Sequence, residues 1–191
     1  MPTEEKKTAV FLDRDGTINI EKRYLADPDK LELFPDAVPA LQSLMEAGFL
    51  LFIVTNQSGI GRGYYTLEDM HRVNDRLKSR LAKDGIRFER IYFAPEHPDE
   101  ESRGRKPSPQ FLLDAADEFG LDLSKSYMLG DKLSDLKCGW NAGVSESILV
   151  RTGYGAETES ENPTEIQHAT VVDTLADAVS HIFRSGELNR D

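Results

Sequence analysis

Six consecutive residues, Phe49-Leu50-Leu51-Phe52-Ile53-Val54, are all apolar. The run is shorter than a buried helix needs, and it lies between Gly48 and the polar stretch Thr55-Asn56-Gln57-Ser58-Gly59, so it reads as a strand. Because successive strand residues point to opposite faces, an unbroken apolar run means both faces are covered. Ala9–Leu12, Ile91–Ala94, Ser126–Gly130 and Ser147–Val150 are runs of the same kind. Helical segments separate them. One runs from Ala37 to Gly48 with Asp36 as candidate N-cap and Gly48 as C-cap. Another runs from Leu67 to Lys83 behind a capping-box sequence at Thr66-Leu67-Glu68-Asp69. A third starts at Ser108-Pro109, and a fourth covers Ser134 to Asn141. Strands alternating with helices predict an α/β fold: a doubly wound, mainly parallel sheet with helices on both faces. Arg151 to Glu165 reads as a polar loop, Thr170–Val172 as an edge strand and Leu175–Phe183 as a terminal helix with a frayed end. No connection is long enough for an inserted domain, so residues 1–191 read as one domain.

Composition narrows the function classes. A net charge of −11 argues against a nucleic-acid backbone or an anionic membrane surface as partner, while leaving room for a basic pocket that holds a small anion. The single cysteine, Cys138, precludes an intramolecular disulfide and a multi-cysteine zinc site, and is expected to be a packing residue. Met1 to Lys7 carry no apolar stretch of the signal-peptide kind, and no run is long enough to span a membrane. A cytoplasmic monomer is the expectation. His71 and His181 fall in helical segments as surface or boundary residues, and Trp140 reads as core or boundary.

The chemistry is expected where strands end. Asp13 and Asp15 follow the first strand, in an extended segment that sets both side chains on one side. Two such carboxylates repel and are costly to bury unpaired, a conflict that a hard divalent cation such as Mg²⁺ resolves. Gly16 then allows a sharp turn. Taken alone, the segment also fits an ordinary Asp-Gly turn. Its company decides the matter: Thr55 and Asp131 also follow strands, and Lys106 lies on the loop leaving another. In open α/β sheets such positions converge on one crevice. Carboxylates for a cation, a hydroxyl and an ammonium together suit a phosphoryl group, whose transfer depends on positioning and charge neutralisation.

Asp13-Arg14-Asp15-Gly16-Thr17, Thr55, Lys106 and Gly130-Asp131-Lys132-Leu133-Ser134-Asp135 resemble, in order, the four motifs of the haloacid dehalogenase superfamily, over residues 8 to 150. The resemblance implies a covalent aspartyl-phosphate mechanism. Asp13 would be the nucleophile and Asp15 the acid and then the base. Asp13, the backbone carbonyl of Asp15 and Asp131 would hold Mg²⁺, while Thr55 and Lys106 grip the phosphoryl oxygens. Asp135 is open between orienting Lys132 or a metal-bound water and simply being an acid at a helix N-terminus.

Within the superfamily, the stretches Phe11–Asn19, Thr55–Gly63, Arg105-Lys106-Pro107, Gly130-Asp131-Lys132 and Arg151-Thr152-Gly153 resemble the capless family of D-glycero-D-manno-heptose 1,7-bisphosphate 7-phosphatases, with histidinol-phosphate phosphatases as close relatives. The implied reaction removes the 7-phosphate of a heptose bisphosphate, with histidinol phosphate as the alternative substrate. Without a cap, substrate selection would fall to loops 21–24, 56–62 and 95–105. The expected substrate contacts are Glu21, Lys22, Arg23, Tyr24, Asn56, Gln57, Ser58, Arg105 and Lys132, with Arg105 suited to a second phosphate. The departure concerns zinc. Many members carry three cysteines and a histidine before Arg-Lys-Pro, where this chain has Ala94, Glu96, Ser102 and Gly104, with only His97 nearby. No zinc is expected. A receiver-type signalling domain uses similar groups, but there the phosphorylated Asp follows a later strand. A silent binding module and a nucleic-acid 3′-phosphatase fit less well, since the expected catalytic side chains are all present and no basic face is evident.

Overall fold

A computed structural model describes residues 6–188, which hold a six-stranded, wholly parallel sheet. Its strands are β1 (Ala9–Leu12), β2 (Leu50–Asn56), β3 (Arg90–Ala94), β4 (Tyr127–Gly130), β5 (Glu146–Val150) and β6 (Thr170–Val172). They lie in the order β3-β2-β1-β4-β5-β6. The chain winds outward from β1 through β2 to β3, then returns to the other side of β1 for β4, β5 and β6. The switch point between β1 and β4 is where a doubly wound sheet leaves a crevice at its carboxyl end.

Six helices accompany these strands: α1 (Ala37–Glu46), α2 (Leu67–Ala82), α3 (Gln110–Phe119), α4 (Leu133–Ala142), α5 (Gly155–Glu161) and α6 (Leu175–Leu188). Alternation along β1 shows why both faces need cover. Val10 and Leu12 pack with Leu41 and Leu44 of α1, Leu77 of α2 and Ile182 of α6. Ala9 and Phe11 face the other way, toward Leu112 and Ala115 of α3 and Cys138 of α4. Phe11 and Phe52 are fully buried and stack at 5.1 Å, each contributing about 1.5–3 kcal/mol by burial. Cys138 is a buried packing residue; Trp140 is partly buried against Leu136 and Leu149.

α2 starts as its sequence indicates: Thr66 and Asp69 satisfy each other's backbone N–H groups in a capping box. α1 ends at Glu46 with Ala47 as its C-cap, one place before the expected Gly48, which follows with a φ of +90° that favours glycine. Four further expectations differ from the structure in detail. Asp36 stands at the N-cap of α1 as expected, but its carboxylate makes no capping bond; it accepts the Ala176 N–H (2.8 Å) and ties α1 to α6. Pro109 stands at the N-cap of α3, one place before the first helical residue. Residues 151–165 are not all loop, because they contain α5. That helix buries only Gly155 and Thr158, so it has no apolar stripe to read. It is anchored instead by Thr158 Oγ1, which donates to the Asp131 carbonyl at 2.8 Å. α6 continues past the expected Phe183 to Leu188, and the chain end expected to fray lies outside the described residues. No connection carries an inserted folded domain among the described residues, and no helix is long and apolar enough to cross a membrane.

Candidate active site

A cavity of about 400 Å³ opens beyond the carboxyl ends of β1, β2 and β4. Asp13, Asp15, Thr55 and Lys106 all line it, although they lie as far as 93 residues apart in sequence. Asp13, Asp15 and Thr55 are brought there by standing at strand ends, and Lys106 by lying on the loop between β3 and α3. Asp13 directly follows β1 and fixes its backbone on β4 through a bond from its N–H to the Leu129 carbonyl (2.9 Å). Gly16 then turns the chain with φ +88°, and a Cβ there would collide with the Asp131 carboxylate.

Two buried charge systems form the floor. In the first, the carboxylates of Asp13, Asp131 and Asp135 offer oxygens within 4.8 Å of one another. Lys106 Nζ reaches Asp13 Oδ1 at 2.8 Å and Asp135 Oδ1 at 2.6 Å, and donates to the Val54 carbonyl at 2.6 Å. Burial works against a charged Lys106, but Asp13 and Asp135 outweigh it and hold the ammonium above the usual lysine range. The lysine does not balance the cluster. Burial, then the charge of Asp13, push Asp131 up to about 8, and its Oδ1 is buried with no hydrogen-bond partner. The other oxygen, Oδ2, accepts the Tyr154 N–H at 2.8 Å, and Gly153 has no room for a side chain beside it. Burial likewise raises Asp135, with Lys106 opposing. Three crowded carboxylates, one with an orphan oxygen, form a donor set that fits a hard divalent cation.

The second system surrounds Asp15, whose carboxylate is held apart from that cluster. Its Oδ2 accepts from Arg14 Nε (3.2 Å), Arg14 Nη2 (2.7 Å) and Gln57 Nε2 (3.0 Å), and its Oδ1 accepts from Asn19 Nδ2 (2.9 Å). Burial alone would raise Asp15, but the Arg14 charge and these bonds outweigh it and keep the carboxyl below its usual range. Arg14 thus matches the charge of the Asp15 side chain without a cation. Arg14 is 0% exposed and its Nη1 donates to Asn74 Oδ1 of α2 at 2.8 Å. Neither Arg14 nor Asn74 was expected from sequence; the only available hint was a charged residue between two strand-end aspartates.

Asp135 is an acid at a helix N-terminus and has a second partner in Lys106. Its Oδ2 accepts the Lys132 N–H at the start of α4 (2.9 Å), while Oδ1 faces Lys106. Of the expected substrate contacts, Glu21, Arg23, Tyr24, Asn56, Gln57, Ser58 and Lys132 line the cavity. Lys132 sits 3.7 Å from Glu21 and over the Tyr154 ring at 4.9 Å. Glu21 is raised by burial and by Asp15, against Lys132. Arg23 holds a φ of +61°, a conformation a non-glycine residue adopts at a cost of about 1–2 kcal/mol. Two expected contacts lie off the wall. Lys22 is exposed and pairs with Glu32 at 3.0 Å. Arg105 is half-buried, with its guanidinium on the Glu96 carbonyl at 3.3 Å. The loop that holds Arg105 is tied by Ser102, whose hydroxyl donates to Glu96 (2.7 Å) and accepts the Arg105 N–H (3.1 Å). Lining residues not foreseen as contacts include Tyr65 and Tyr154.

The HAD-hydrolase-like family profile matches residues 104–178, which include Lys106, Asp131 and Asp135. Over 176 residues the chain is 38% identical to a D-glycero-beta-D-manno-heptose-1,7-bisphosphate 7-phosphatase of Yersinia pestis, covering 88% of this chain and 92% of that one. The chain belongs to the HAD-like hydrolases. A second relative of this HAD-like hydrolase, from Burkholderia mallei, is 39% identical over 175 residues, covering 84% of this chain and 92% of its own. That protein is named for the alpha anomer. Among solved structures, D,D-heptose 1,7-bisphosphate phosphatase of B. bronchiseptica, complexed with magnesium and phosphate, superposes with a TM-score of 0.86 at 28% identity, covering 93% of this chain and 99% of that one.

Proposed function

We propose that the protein is a magnesium-dependent phosphatase that removes the 7-phosphate of a D-glycero-D-manno-heptose 1,7-bisphosphate, for use in nucleotide-activated heptose and surface-polysaccharide synthesis. The observation that carries the chemistry is the convergence of Asp13, Thr55, Lys106 and Asp135 on one cavity, with Asp131 clustered behind them against Asp13 and Asp135 and one of its buried carboxylate oxygens left without a hydrogen bond. Support for the substrate comes from the two relatives and the solved structure named above, all heptose bisphosphate phosphatases.

Asp13, Asp131 and Asp135 would hold the cation, with the Asp15 carbonyl as a further oxygen ligand. Bound there, Mg²⁺ supplies positive charge that lets anionic groups approach one another. Asp13, whose Oδ1 is already fixed by Lys106, is the nucleophile toward phosphorus. Lys106 and the Thr55 hydroxyl meet the oxygens of the transferring phosphoryl group, where preorganised donors count most. Asp15, ionised in the resting site, is the base that takes a proton from water in the hydrolytic step. To act earlier as an acid it must first gain a proton against four N–H donors. Glu21, Arg23, Tyr24, Asn56, Ser58 and Lys132 form the wall facing the rest of the substrate. Arg105 reaches a second phosphate only by leaving the Glu96 carbonyl. Zinc has no place in this reading, because His97 is the only nitrogen or sulfur side-chain ligand between Pro95 and Arg105 apart from charged arginines. The chain works as a single-domain cytoplasmic monomer without nucleic-acid or membrane partners; light scattering in solution checks the monomer.

The test is steady-state phosphate release with Mg²⁺, comparing kcat/KM for both anomers of heptose 1,7-bisphosphate with histidinol phosphate and fructose 1,6-bisphosphate. A preference of about a hundredfold for one heptose anomer, some 2.7 kcal/mol, is expected. The identities do not choose the anomer, since relatives named for each match at 38% and 39%. Equal, weak rates on all four esters would discard the heptose assignment and leave the phosphatase chemistry in place.

A further inference from the structure

The three residues that end β2 and begin the next loop divide their work. Thr55 faces the cavity. Asn56 exchanges hydrogen bonds with the Lys106 backbone, donating to its carbonyl (3.1 Å) and accepting its N–H (3.0 Å), so it fixes the lysine loop. Gln57 lines the cavity but is only 3% exposed, and its amide is already engaged. One Nε2–H donates to Asp15 Oδ2 at 3.0 Å and the other to Thr55 Oγ1 at 2.8 Å, which uses both donors of a primary amide. On its other side, Oε1 accepts the Tyr65 hydroxyl at 2.6 Å.

We infer that Gln57, oriented by Tyr65, is a positioning residue that holds Asp15 for the hydrolytic step, and is not a substrate ligand. The inference rests on the proposed role of Asp15 as base. A carbonyl oxygen can only accept, so the Tyr65 O–H fixes which end of the amide faces which way. With that bond in place, the nitrogen end meets Asp15 and Thr55. Without it, a flipped amide would set Oε1 against the Asp15 carboxylate. Because Thr55 Oγ1 accepts from Gln57, the threonine's own proton stays available for a phosphoryl oxygen.

Tyr65 is built to serve as that anchor. It is 8% exposed, and burial pushes its phenol up to about 12, so it stays a donor at neutral pH. Gly59 lies so close beneath its ring that any Cβ would collide with it. In the step concerned, a water oxygen forms a bond to phosphorus as the bond from Asp13 Oδ to phosphorus breaks. The water proton passes to Asp15, and phosphate leaves with Asp13 restored as a carboxylate.

Pre-steady-state hydrolysis of p-nitrophenyl phosphate with Mg²⁺ tests this, because its leaving group needs no acid and the first step is read by colour. In Tyr65→Phe the first-step rate should stay within about threefold of the unmodified enzyme while the steady-state rate falls about tenfold, so that a burst of p-nitrophenol approaching one per active site develops. Gln57→Leu should widen that separation. Loss of both rates together, or no loss in either, would overturn the inference, and thermal melting of both variants establishes that they are folded. If Gln57→Leu fails to fold, Tyr65→Phe alone decides. Failure of the substrate reading shows separately, as an unmodified enzyme without heptose preference, and failure of the nucleophile reading as p-nitrophenol release that survives in Asp13→Asn.

Discussion

The two halves of the cavity floor bury carboxylates in opposite ways. Around Asp15, both oxygens meet N–H donors and the charge is matched by Arg14. Around Asp13, three carboxylates crowd the Lys106 ammonium, Lys132 comes only within 4.0 Å of Asp131 Oδ1, and that oxygen accepts no hydrogen bond. A satisfied network holds a group in place; an unsatisfied one is completed by a ligand. The Asp13 side is thus where cation and phosphoryl group belong, and the Asp15 side is a preorganised frame whose geometry should change little on binding.

Substitutions that touch one half at a time can break or sharpen this contrast. The largest effect should come from Asp13→Asn, which removes the nucleophile with little change in shape: phosphate release should fall by at least about 10⁴-fold, and appreciable residual turnover would remove Asp13 from that role. Next, Arg14→Met strips the counter-charge from the matched half and leaves Asp15 buried without it. Urea unfolding should show a loss of about 3–5 kcal/mol, and a loss under about 1 kcal/mol would mean the Asp15 side is not held by its ion pair. Third, Lys106→Ala should lower kcat by about 10²–10³-fold, or 2.7–4 kcal/mol, as expected when a donor to the developing charge is lost.

The smallest effect carries the most telling sign. In chelator-treated protein, Asp131→Asn should raise stability by about 1 kcal/mol. A carboxyl pushed up by burial and Asp13 opposes folding at neutral pH, and the amide relieves it. With saturating Mg²⁺ the order should reverse, because the unmodified chain binds the ion more tightly and gains more from it. Melting curves of both proteins, with and without Mg²⁺, check both signs. A destabilised Asp131→Asn in chelator would show that the crowded half is not in conflict.

What was legible in the chain follows the same division. Strands β1, β2 and β4 announce themselves locally as apolar runs, and Asp13, Thr55 and Asp131 are legible because they stand where such runs end. Arg14 was not. Its meaning depends on Asn74, 60 residues away on α2, and no local pattern carries that link. The same holds for Tyr65, which acts on Asp15 through Gln57, itself 42 residues from Asp15. Asp36 misled because an acid before a helix looks like a cap, yet a stronger claim on it came from Ala176 of α6. Lys22 and Arg105 were expected at the site on charge and motif, but each found a nearer partner, in Glu32 and in the Glu96 carbonyl. Residue types declare chemistry; which neighbour wins a side chain is settled only by the fold.

The central claim is that Asp13, and not Asp15, meets phosphorus. Rapid acid quenching during turnover, followed by peptide mapping of the trapped phosphoenzyme, tests it directly. The account predicts one acid-stable, hydroxylamine-labile phosphoryl group on the peptide at Asp13, absent from Asp13→Asn. A phosphoryl group on Asp15, or turnover with no phosphoenzyme at any quench time, would contradict it.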